Sequence, residues 1–166
     1  MAIKGGKPND RRVAPNLIVR DAAKALAFYQ RVLGAEPAYV SRLPDGAVLH
    51  AQLRVGETVF LISEENMGMP EAQFSRFEQG MRTRSPQTLN GTSVVLELYV
   101  DDLEATFQRA IEAGGRIKMP ISDTFYGDRL GQFEDPFGHV WGIGTVVEEL
   151  EPEEVDRRAR ERFAKV

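Results

Sequence analysis

The chain carries one hydrophobic rhythm twice. The first copy opens with the apolar run from Val13 to Val19, which predicts a strand with Pro15 near its start. Ala22, Leu26, Tyr29 and Leu33 then recur at spacings of four, three and four, the period of a helix with one buried face. Asp21 suits the N-cap of that helix and Gly34 its C-terminal glycine, so the predicted helix runs over 21–33. Three short strands are predicted next, at Ala38 to Arg42, Val48 to Arg54 and Thr58 to Ser63. Pro44-Asp45-Gly46 and Gly56-Glu57 supply the turns between them.

The second copy begins with the strand Val94 to Val100. Leu103, Phe107, Ala110 and Gly114 each follow their counterparts in the first helix by 81 positions. Asp102 answers Asp21, and Gly115 answers Gly34, at the same separation. Further on, Gly138-His139-Val140-Trp141 answers Gly56-Glu57-Thr58-Val59 at a separation of 82, and Trp141 and Ile143 are expected as core beneath a helix. One constant offset across cap, helix face and terminal glycine argues for an internal duplication. The expected fold class is α+β, two repeated βαβββ modules forming curved sheets around a pocket.

The boundaries follow from this repeat. Residues 1–12 form a polar arm, 13–63 the first module, 64–90 a connection, 91–147 the second module and 148–166 a helical extension. The connection is long for a structureless loop, and a helical turn is expected around Glu71 to Phe77. In the extension, Pro152, Glu153 and Glu154 suit a helix N-terminus, and Arg158, Arg160, Arg162 and Lys165 its C-terminal half. Val155, Ala159 and Phe163 are expected to dock it.

Composition narrows the function. A net charge of −4 lacks the basic face that nucleic-acid binding requires, so no nucleic-acid partner is expected. With no cysteine, disulfides, thiolate nucleophiles and cysteine zinc sites are all excluded. No apolar run approaches the roughly 18 residues of a membrane helix, and the polar start lacks the apolar core of a signal peptide. A cytoplasmic protein with no membrane association is expected. Neither a phosphate-cradling glycine loop, nor a GxGxxG after a strand, nor a GxSxG elbow is present.

The duplicated module, with the strings VRDAAKALAFYQRVLGAEP, HAQLRVGETV, SPQTLNGTSV, FYGDRLGQFEDPFGHVW and EPEE, resembles the vicinal oxygen chelate superfamily. That superfamily comprises glyoxalases, bleomycin-resistance proteins and dioxygenases, and the strings are similar to its PhnB-like branch. The resemblance implies a small-molecule ligand and a homodimer. It also implies metal-ligand positions on the first and last strands of each half, which fall here on Ala14, Phe60, Val95 and Gly142. None of these has a metal-binding side chain. No metal or other cofactor is therefore expected, and a divalent metal is not supported by the ligand positions.

The polar residues that remain define the candidate ligand-binding set Asn16, His50, Glu97, Tyr99 and Tyr126. Asn16 and Glu97 occupy matching places in the two halves, and strand alternation puts Glu97 and Tyr99 on one face. His50 alternates with Gln52 and Arg54; it is either an acid–base group or a hydrogen-bonded structural side chain. Tyr126 lies in the segment from Thr124 to Arg129, whose mixed chemistry suits a pocket rim, although Asp128 and Arg129 could equally pair with neighbours. His139, in the turn from Asp135 to His139, is expected to stabilise that turn. Two classes of function stay open. One is a binder that sequesters a small molecule; the other is a lyase or isomerase using His50 and Glu97 as candidate catalytic groups for proton transfer.

Overall fold

In the first half, β1 (Asn16–Val19) starts directly after Pro15, later than the apolar run that begins at Val13. Helix α1 (Ala22–Leu33) follows, capped by the Asp21 carboxylate, which accepts from the Lys24 N–H at 2.9 Å. Gly34 ends it in the left-handed region at φ 64°, a conformation that carries no penalty for glycine. Then come β2 (Glu36–Arg42), β3 (Val48–Val55) and β4 (Thr58–Glu64). The sheet order is β1-β4-β3-β2, with β1 and β4 parallel and the other neighbours antiparallel. The computed structural model describes residues 13–69 and 82–164.

Burial separates the two faces of this sheet. Leu17, Val19, Ala51, Leu53, Phe60 and Ile62 are buried on the face that α1 covers. The Tyr29 ring meets Phe60 edge-on, with centroids 5.5 Å apart. The alternate residues Asn16, Ile18, Leu61, Ser63, Gln52 and His50 lie on the opposite, helix-free face. Phe60, which the sequence offset assigned to a ligand position, therefore belongs to the core under α1.

The second half repeats this plan as β5 (Val95–Tyr99), α3 (Leu103–Glu112), β6 (Arg116–Asp123), β7 (Asp128–Glu134) and β8 (Val140–Val146), in the order β5-β8-β7-β6. Asp102 caps α3 through the Ala105 N–H at 2.9 Å. Trp141 and Ile143 are buried on the α3 side, as expected. Three sequence expectations need correction. Asn16 partners Leu61 where Glu97 partners Gly142, so the last strands align at a separation of 81, not 82. The turn before β8 is longer than the turn before β4, and matching the turns themselves misplaced the strand. The helix end differs as well. Gly114, beyond α3 at φ 99°, takes the left-handed role, and a Cβ on Gly115 would lie 2.8 Å from the Ala110 carbonyl oxygen. Gly114 is thus not part of the apolar helix face.

Between the halves, a 3-10 turn (Glu65–Gly68) and a short helix α2 (Pro86–Leu89) are described; the expected turn at Glu71 to Phe77 lies outside the described residues. The chain divides into two compact units, Met1–Thr92 and Ser93–Val166. The terminal helix α4 (Pro152–Phe163) has no fully buried residue, but Val155 and Ala159 are half-buried and Phe163 meets Phe125 edge-on. Arg158 also holds it, by pairing with Glu148 and Glu154. Among the described residues no helix is long and apolar enough to cross a membrane.

Candidate functional site

On the helix-free face of the first unit, three side chains from three strands form one hydrogen-bonded chain. The β3–β4 hairpin turns at Gly56-Glu57 and pairs Val55 with Thr58, which fixes His50 opposite Ser63. The Ser63 hydroxyl donates to Asn16 Oδ1 at 3.0 Å and lies 2.9 Å from His50 Nδ1. A hydroxyl has one proton, and Asn16 receives it. Ser63 Oγ is then left to accept from His50 in the tautomer that carries its proton on Nδ1. In the neutral ring this leaves Nε2 as an acceptor. Burial holds the His50 pKa below its ordinary value of 6.5, against an upward pull from the Ile62 backbone. The Asn16 amide N–H groups remain as donors on an exposed side chain.

The sequence reading named Asn16 and His50, and the structure joins them; Ser63 it missed. Gln52 shares their face, beside Leu61. Arg54 is engaged by Glu36, so its charge is compensated.

In the second unit, Glu97 and Tyr99 lie on the helix-free face beside Gly142 and Gly144. The Glu97 carboxylate fills the space that a side chain at position 142 would take: a Cβ built there would sit 2.1 Å from Oε2. The Tyr99 hydroxyl donates to Asp128 Oδ2, and Asp128 is only 8% exposed. That hydrogen bond, with burial and the nearby negative charge, pushes the Tyr99 pKa up to about 12; Tyr126 and Glu97 add to the effect electrostatically. Tyr126 also packs edge-on against Phe125 at 5.1 Å. Asp128 is thus a site residue that the sequence treated only as a rim group, and no local pattern marks it. Arg129 pairs with Asp123 and Glu104.

The turn from Asp135 to His139, expected to rest on the histidine, is held by the Asp135 side chain. The Asp135 carboxylate accepts from the backbone N–H of Phe137 and of His139, and from Trp141 Nε1. A separate cavity of about 300 Å³ opens at the N-terminus of α1, where Glu64 accepts from the Ala22 N–H at 2.7 Å. Burial pushes the Glu64 pKa up. None of the candidate ligand-binding residues lines this cavity.

The positions beside Asn16 and Glu97 on the last strands are Leu61 and Gly142, neither with a donor atom. Asn16 Oδ1 already accepts from Ser63. Among the described residues no group of three or more His, Cys, Asp or Glu side chains is placed to hold a metal ion. The residues at these positions do not fit a metal tetrad.

The profile of the family described as Glyoxalase/Bleomycin resistance protein/Dioxygenase superfamily matches residues 12–143. An uncharacterized protein of Mycobacterium bovis is 38% identical over 144 residues, 86% of this chain and 88% of its own length. Protein YjdN of Escherichia coli is 26% identical over 146 residues, 76% of this chain and 88% of its own. Among solved structures, TioX from Micromonospora sp. ML1 superposes with a TM-score of 0.56 at 23% identity, over 84% of this chain and 99% of that one. The fosfomycin resistance protein FosX of Listeria monocytogenes, solved with Mn(II) and sulfate, superposes with a TM-score of 0.59 at 19% identity, over 89% of this chain and 96% of that one. At these identities the two structures show a shared fold.

Proposed function

The chain belongs to the Glyoxalase/Bleomycin resistance protein/Dioxygenase superfamily, and from that premise we propose that it binds a small molecule without the metal tetrad found in that superfamily. The observation that carries this reading is the pair Leu61 and Gly142, which partner Asn16 and Glu97 across the strands and offer no side-chain donor atom to a metal. The candidate ligand-binding residues are Asn16 and His50 in the first unit and Glu97, Tyr99 and Tyr126 in the second, all five half-buried or exposed. The motif strings support placement in the PhnB-like branch, and the absence of cysteine suits a cytoplasmic location. A homodimer goes with this reading. Val94, Ile117, Val146 and Val147 are each more than half exposed, an amount of apolar surface that a second copy would cover.

The test is a thermal-shift screen of aromatic and drug-like compounds, run with and without divalent metal ions. Stabilisation by a compound independent of metal supports binding. Stabilisation only with metal present, or about one transition-metal ion per chain by elemental analysis, overturns the metal-free reading.

A second reading, a lyase or isomerase using His50 and Glu97 for proton transfer, is favoured by one observation: His50 sits half-buried on the helix-free face, with its Nδ1 held 2.9 Å from Ser63 Oγ. Glu97→Gln keeps the shape and removes the charge. Turnover of an identified substrate that survives this change would eliminate Glu97 from the chemistry.

A further inference from the structure

We propose that Ser63 is a positioning residue that fixes the proton of His50 on Nδ1, and that this face consequently takes a neutral hydrogen-bond-donating ligand, a hydroxyl or N–H compound, rather than an oxyanion. The inference rests on the binding reading for its ligand and on the hydrogen-bonded chain alone for its geometry.

The chain has a direction. Asn16 Oδ1 can only accept, so it orients the Ser63 hydroxyl, and the oriented Ser63 oxygen can only accept from His50. Each group determines the next, across three strands. What is left for a ligand is complementary at its two ends. His50 Nε2 offers a lone pair, and the Asn16 amide offers N–H. An anion meeting Nε2 would face lone pair against lone pair. The nearest cation on the same strand face, Arg54, is already engaged by Glu36. A hydroxyl or N–H donating to Nε2, on a molecule whose carbonyl or ether oxygen accepts from Asn16, satisfies both ends.

The chain contains only two histidines, so ring-nitrogen NMR assigns His50 readily. In the free protein the expected signature is a protonated, pyrrole-type Nδ1 and a pyridine-type Nε2. Asn16→Leu removes the acceptor at similar size. Ser63 is then free to donate to Nδ1, and the signature should invert. Ser63→Ala should lose the preference and Ser63→Thr restore it, which a merely structural role would not do. A protonated Nε2 in the wild-type protein, or an unchanged tautomer in both Asn16→Leu and Ser63→Ala, overturns the positioning role.

The ligand class is tested by adding para-cresol, its methyl ether or para-toluate. The cresol is expected to shift the His50 Nε2 resonance while the ether and the toluate leave it in place. A shift by toluate without one by cresol overturns the inference but leaves small-molecule binding standing. Silence from all three overturns the ligand class, while the tautomer measured in the free protein judges the positioning role separately.

Discussion

His50 has a pH dependence whose sign is fixed by its surroundings. Burial lowers its pKa in the folded chain below the ordinary 6.5, so folding favours the neutral ring. That contribution is complete above pH 6.5 and is lost as pH falls through the lowered folded value. The melting temperature of the wild-type chain should therefore fall more steeply between neutral and mildly acid pH than that of His50→Gln. Thermal unfolding followed by the fluorescence of Trp141, the one tryptophan, gives the comparison, and equal slopes would refute the assignment. His50 was legible as a candidate because it falls in the polar phase of an alternating strand, with Gln52 and Arg54. Ser63 was legible in principle too, since a two-residue turn at Gly56-Glu57 fixes which residue faces His50. Asp128 was not. Its bond to Tyr99 depends on how β5, β8 and β7 are laid side by side, a non-local register that no short stretch of sequence records.

Helices α1 and α3 were readable because their signals are local. Each has an aspartate cap, an apolar stripe and a glycine near its end, all within about four turns of chain. Removing a cap tests the reading directly. Asp21→Ala should cost about 1 kcal/mol in denaturant unfolding, and Asp21→Asn much less, because asparagine can still accept from the Lys24 N–H. Equal losses for both substitutions would mean that the charge beside Lys24, not the cap, matters. Strand positions were less secure. Phe60 was read as a pocket position because two turns of unequal length were matched residue for residue, and one position of slip exchanges the faces of a strand. The end of α3 failed for a related reason: two adjacent glycines offered two terminators, and only Gly114 has the positive φ.

At the level of the whole molecule, the duplication has kept the framework and changed the contents. Both units have the same strand order and a helix on one face, yet the matching positions hold Leu61 and Ser63 in one and Gly142 and Gly144 in the other. The polar chain of the first unit thus has no copy in the second, where Tyr99 and Asp128 take over. The apolar side chains left exposed on β5, β6 and β8 lead to the expectation of a homodimer. Light scattering at micromolar concentration should give about twice the 18.6 kDa chain mass, and a single species at the chain mass would reject the assembly.

Gly142 and Glu97 are two residues that contend for one volume. The three atoms nearest to a methyl group at position 142 all belong to the flexible end of Glu97, so the methyl group would displace the carboxylate first. Gly142→Ala is accordingly a way to move Glu97 without mutating it. If Glu97 contacts the ligand, Gly142→Ala should weaken binding as Glu97→Gln does, at little cost in stability, and the two changes combined should do no more than either alone. A fully additive double mutant would show that the volume is not shared.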